Sequence, residues 1–280
     1  MGKNKVTGGV LLGAVASGLA AAALGGAGAA SATCASISGL SAGSSGGSTC
    51  TSTPTSFAIG IGDNTTAIAN GLFTGAIAVG DNGANDATRA ASTGAFSLAM
   101  ALGKNTFAVT DGNLNLAVAQ GQGASKDNPV SAQAGLTSGD NLNVALNLGG
   151  TSTGTTVRDA KINAVLAAGQ GNLAANIGGS PSATRSLIVQ AYGTGNAALN
   201  VGGNGNFVSA GAFFPGTEPG IPQGTKSTLG LAFNALGNDN TVTAVGPLAI
   251  AGAIGKDGLN GANRVIRTTP GLNINGNSIP

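Results

Sequence analysis

Small and larger residues alternate with period two in a series of short stretches: "TAIAN" at 66–70, "GAIAV" at 75–79, "SLAMAL" at 97–102 and "NLAVAQ" at 115–120. Each is bounded by glycine, and alternation over so few residues predicts β-strands with two distinct faces. Placing glycine first in a nine-residue unit aligns "GDNTTAIAN", "GLFTGAIAV" and "GDNGANDAT" from Gly62, then "GAFSLAMAL", "GKNTFAVTD" and "GNLNLAVAQ" from Gly94. The third position alternates: Asn64, Phe73, Asn82; Phe96, Asn105, Leu114; Asp239, Leu248, Asp257. The true period in these blocks is therefore about eighteen, two turn-plus-strand units per coil. Such a chain returns to the same corner once per coil, with coils about 4.8 Å apart. The expected fold is all-β, a parallel β-solenoid with about 18 residues per coil and irregular loops.

Which strand face points inward is the open question. The simplest assignment puts Ile, Leu, Val and Met inward and the Ala, Asn, Ser and Thr face outward; the opposite, alanine lining a very narrow coil, stays open. Glycine at the corners supplies positive φ without steric cost, and asparagine tolerates the same region. Asparagines at equivalent corners are placed to bond one another along the axis. Helix is disfavoured throughout by 50 glycines.

Three stretches break the repeat: "NGANDATRAAST" from Asn82, "GASKDNPVSAQAG" from Gly123, and "GAFFPGTEPGIPQGTKS" from Gly211, whose Pro215, Pro219 and Pro222 cannot sit in a stacked strand. The first two read as excursions between coils. The third divides the chain into a larger block at 57–210 and a smaller one at 228–280, joined by a loop at 211–227.

At the start, Lys3 and Lys5 precede an apolar run from Val10 to Leu24 ending in "ASA", the pattern of a secretory signal peptide over 1–32. Removing it takes Lys3 and Lys5 from the 12 basic residues, so the remainder balances the 10 acidic ones and no basic stripe argues for nucleic acid. Cys34 and Cys50, the only cysteines, close a Ser/Gly-rich segment at 33–56 that has too few apolar residues to hold itself, and in an exported chain they read as one disulfide. The N-terminus is otherwise expected to be loosely held, with the disulfide loop as the natural cap of the first coil. With one tyrosine and no tryptophan, an outer-membrane barrel has no aromatic girdle.

The turns "GGNGN" and "GNDN" are similar to the nonapeptides of secreted calcium-binding β-rolls, although the aspartate that binds calcium there is replaced here by Ala67, Ala76, Phe207 and Val242. "FAIGIGDNTTAIANG" and "GAIAVGDN" resemble the head coils of trimeric autotransporter adhesins. The Gly/Ala/Asn composition also resembles exported repeat proteins of actinobacterial type, a class without an assigned activity.

Candidate chemistry is sparse. Histidine is absent, which excludes Ser/His/Asp and Cys/His catalysis and histidine metal sites, and Glu218 is the sole glutamate. Asp63 with Asp81, and Asp239 with Asp257, occupy equivalent corners one coil apart; they are weak calcium candidates and otherwise solvated corner residues. No catalytic or cofactor-binding residue and no cofactor are expected. The expectation is a secreted or envelope-associated structural or adhesion-type protein, associating with itself or with a wall or surface component. A carbohydrate-binding or carbohydrate-active solenoid using aspartates along the stack is the alternative.

Overall fold

The computed structural model describes residues 33–80, 82–83, 86–154, 161–211, 224–258 and 263–279. The expected signal peptide, Asp81 and the prolines of the 211–227 loop lie outside the described residues. Strands alternate between two sheets, of thirteen and eleven strands. Phe57–Ile61 lies in the first, Thr65–Leu72 in the second, Gly75–Val79 in the first again, so one strand from each sheet makes a coil. Successive coils pair in parallel, as Phe57–Ile61 does with Gly75–Val79. The fold is a parallel β-solenoid.

The eighteen-residue period is real but local. Phe57 pairs with Gly75 and Leu98 with Leu116 at that spacing, whereas Leu116 pairs with Val144, Val144 with Leu173, and Ala197 with Leu231. A parallel ladder requires only that the chain return in register. Extra residues leave at the corners, where lengthening a loop adds little entropic cost. Two anticipated excursions are accordingly shorter than expected: Thr88–Ala95 and Val130–Ala134 are strands of the stack. The ladder also passes unbroken from Ala197–Val201 to Leu231–Ala235, so the anticipated larger and smaller blocks share one stack.

The disulfide is present and gauges the interior. Cys34, in the first sheet, is bonded to Cys50, in the second, with their Cα atoms 5.6 Å apart. Facing sheets normally stand about 10 Å apart, so this end of the coil has room for little more than methyl groups. Gly60, beside Cys34, illustrates the limit: a Cβ there would lie 2.7 Å from the Cys34 sulfur.

In the first sheet the consequence reverses the simplest sequence assignment, whereas in the second sheet Val130, Val165, Leu187, Val189, Val208, Val242 and Val265 are buried as that assignment has it. Ala76, Ala78, Ala99, Ala101, Ala117 and Ala119 are fully buried between the sheets, and Ile77, Met100 and Val118 point outward. Alanine loses no rotamer freedom on burial, which suits a core that gains little apolar area per residue. Two sets of asparagines lie inside too. Asn143 donates to Asn115 (3.2 Å), Asn172 to Asn143 (3.0 Å) and Asn196 to Asn172 (3.1 Å), each from Nδ2 to Oδ1. A second ladder runs through Asn147, Asn176, Asn200 and Asn234 at 2.8–2.9 Å. Their amides satisfy each other along the axis, which is what makes polar residues admissible in the interior.

Both ends of the first sheet are turned back. Thr33–Ile37 runs antiparallel to Phe57–Ile61 and to Leu40–Ser44, and at the other end Gly271–Ile274 runs antiparallel to Asn277–Ile279. Reversing direction blunts a parallel edge that would otherwise accept another coil.

Candidate functional site

Because the small residues fill the inside, the larger ones of the first sheet make its outer surface. Parallel register stacks them in columns. One column reads Phe57, Gly75, Leu98, Leu116, Val144, Leu173, Ala197, Leu231, Ile250, Leu272. The next reads Ile59, Ile77, Met100, Val118, Leu146, Ala175, Leu199, Phe233, Gly252, Ile274, and the third Ile61, Val79, Leu102, Gln120, Leu148, Ile177, Val201, Ala235, Ile254. Gln120 is the one polar side chain among them, and none carries a charge. Many of these side chains are only half-exposed, because each is flanked by the rungs above and below; Ile177 and Ile254 reach 48% and 50%.

A fourth column continues the face around one corner. Phe73, Phe96, Leu114, Leu142, Leu229 and Leu248 all sit at positive φ, between 52° and 57°, and all are more than half exposed. The rings of Phe73 and Phe96 stack with centroids 5.3 Å apart. Glycine would fill these positions without strain, and Gly171 and Gly195 do so in the same column. Holding a bulky residue in the left-handed region costs about 1–2 kcal/mol. Strain of this kind, repeated on exposed apolar side chains, points to a surface requirement rather than a folding one.

The opposite corner is mostly polar, with Leu236, 74% exposed and also at positive φ, as its apolar exception. Asp63 and Lys104 follow the third column there, with the Lys104 ammonium 2.7 Å from the Asp86 carboxylate. That ammonium, together with a hydrogen bond from the Asn105 amide at 2.7 Å, holds the Asp86 carboxyl below the usual aspartate range. The second sheet's outer face is mixed: Arg89, Ser131, Gln133 and Arg264 interrupt Phe107, Val109 and Ile188. The apolar plate is thus a property of one face only.

The remaining candidate residues sit at that polar corner without converging. Asp239 accepts a hydrogen bond from Ser182 at 2.6 Å, and Asp257 accepts from the backbone and side-chain amides of Asn238 at 2.7 and 2.9 Å. Among the described residues no three acidic or thiol groups gather as a metal site. The depression lined by Arg185, Ser186, Ile188 and Phe207 contains no acid, and Arg185 is already engaged with the Asp239 carbonyl and the Thr241 hydroxyl.

Alternation alone does not reveal the plate, because large apolar residues with period two fit a core as well as a surface. The plate's signal was there: position three of the repeat is Phe or Leu in most coils, Gly171 and Gly195 excepted, at a corner where a core residue has no place. Among the described residues no helix is long and apolar enough to cross a membrane. No family model, curated protein or solved structure matches the chain.

Proposed function

We propose that this chain is an exported structural protein of the cell envelope or exterior, acting by contact through its apolar plate and not by catalysis. The single observation that carries the reading is the apolar outer face of the first sheet, uncharged throughout and broken by a polar side chain only at Gln120. Contiguous exposed apolar surface beyond a few hundred Å² marks an interaction site, and this one is built at the expense of corner strain. The Cys34–Cys50 disulfide supports an oxidising, extracellular setting, and the leader-like first 32 residues support export. The aspartates favour no hydrolytic role: those described are tied one by one to neighbouring amides, hydroxyls or, as Asp86 and Asp127 are, a lysine ammonium, or carry no paired carboxylate.

The test has two arms. Cells producing the chain retain it in the envelope fraction, whereas Leu146→Lys, a charge in the middle of the plate, releases several-fold more into the medium. Incubation of the purified protein with wall polysaccharides yields no new reducing ends. Retention indifferent to Leu146→Lys would discard the plate as the working surface. Turnover abolished by Asp63→Asn would replace the reading with a carbohydrate-active one.

A further inference from the structure

Resting on the reading of the plate as the contact surface, we infer that its partner is a second copy of this chain, docked plate to plate. Area is the first argument. Ten stacked rungs from Phe57–Ile61 to Gly271–Ile274 span about 45 Å, and the six residue steps from corner to third column, as from Phe73 to Val79, about 20 Å. The plate therefore offers about 900 Å² per partner, against about 800 Å² per partner in a standard stable interface.

Charge is the second. In a twofold pair the same patch meets itself, so any charged patch risks setting like charges against each other. The plate has none to set. Its one long border carries Asp63 and the Lys104–Asp86 pair, with the exposed Leu236 extending the apolar surface at one rung, giving the apolar centre and largely polar rim of a protein interface. The other long border is widened by Phe73, Phe96, Leu114 and Leu142 in their strained corners.

Other occupants fit less well. A lipid surface is favoured by Lys and Arg beside the apolar face and by interfacial Trp and Tyr. The plate itself has no Lys or Arg, of the lysines on its border Lys104 is paired with Asp86 and Lys256 stands at a single rung, the chain has no Trp, and its one tyrosine, Tyr192, belongs to the opposite sheet. A polysaccharide requires hydrogen-bonding groups, and Gln120 is the only such side chain on the plate's three columns.

Met100, in the middle column, is a built-in reporter that needs no mutation. Sedimentation velocity on the purified chain, disulfide intact, gives twice the mass of one chain at micromolar concentration, and peroxide oxidation of Met100 slows as concentration rises. Leu146→Lys and Val118→Lys each raise the dissociation constant by about 100-fold or more by placing like charges across the axis. Val109→Lys, on the opposite sheet, leaves it unchanged. A monomer at all concentrations, with Met100 oxidised at a concentration-independent rate, overturns the inference. So does a trimer or larger species dispersed by Leu146→Lys, which keeps the plate as a self-interface but not as a pair, and so does a monomer that floats with phosphatidylcholine vesicles. The two tests separate cleanly. A monomer whose envelope retention still depends on Leu146 fails here alone; a dimer dispersed by Leu146→Lys with unchanged retention fails the functional reading alone.

Discussion

At the residue scale, alanine and its neighbour in the next position do opposite jobs. Ala117 is fully buried between sheets whose Cα atoms approach to 5.6 Å at the disulfide, while Val118 faces outward. Adding methylenes to a filled interior forces backbone shifts costing about 1–3 kcal/mol, and a rigid ladder has few ways to shift. Ala117→Leu is therefore expected to lose at least that much stability in urea denaturation, and Val118→Ala less than about 1 kcal/mol. Hydrophobic scales predict the reverse order of importance, so equal losses would reject the inward placement of alanine. Asn172 shows the same constraint in polar form. Its amide donates to Asn143, to the Ala168 carbonyl and to the Gly193 carbonyl, and its oxygen accepts from Asn196. Little but asparagine combines donors and acceptor in so short a side chain.

At the element scale, the vulnerable parts are the ends. Each coil is held by the coils on either side, but the first parallel rung, Phe57–Ile61, has only the antiparallel hairpin of Thr33–Ile37 and Leu40–Ser44 beyond it. That hairpin is Ser/Gly-rich and adds little apolar burial, so the disulfide supplies what packing does not. Closing a loop with a sequence separation of 16 is worth about 3 kcal/mol. Reduction is expected to speed hydrogen exchange at the Phe57–Ile61 amides by about 100-fold, while amides of Val144–Thr151 in mid-stack keep their protection. Uniform loss along the stack would mean that the disulfide stabilises the whole molecule and not its cap.

At the scale of the whole molecule, the stack is quasi-one-dimensional: long-range order comes from nearest-neighbour coils. Residues 98–115 form one complete repeat, since Leu98 and Leu116 pair at equivalent positions. Deleting 98–115 is expected to leave a folded, shorter stack, with a lower urea m-value in proportion to the surface removed and a plate shortened by one rung. Deleting nine residues instead would swap the two sheets' strands and abolish cooperative folding. If both deletions were tolerated equally, the eighteen-residue coil would not be the structural unit.

What the sequence settled by itself is everything local. Glycine before Asn64, Phe73 and Leu114 marks corners, period-two alternation marks strands, and the interval between like corners gives a parallel coil; Cys34 and Cys50, alone in the chain, admit one pairing. Two things were left to the tertiary structure. Coil length beyond the eighteen-residue blocks depends on where the chain rejoins the ladder, and a return in register leaves no periodic mark across insertions such as that between Leu116 and Val144. The direction of the faces was the greater omission. A period of two is the same pattern whichever face is called inward, and only the distance between the sheets breaks the tie. That distance arises when remote strands close around one another. Here it is short enough that the first sheet turns alanine and asparagine inward, while the second sheet contributes the larger buried Val165, Leu187 and Val189, and the first sheet's isoleucine, leucine and methionine are left on the outside.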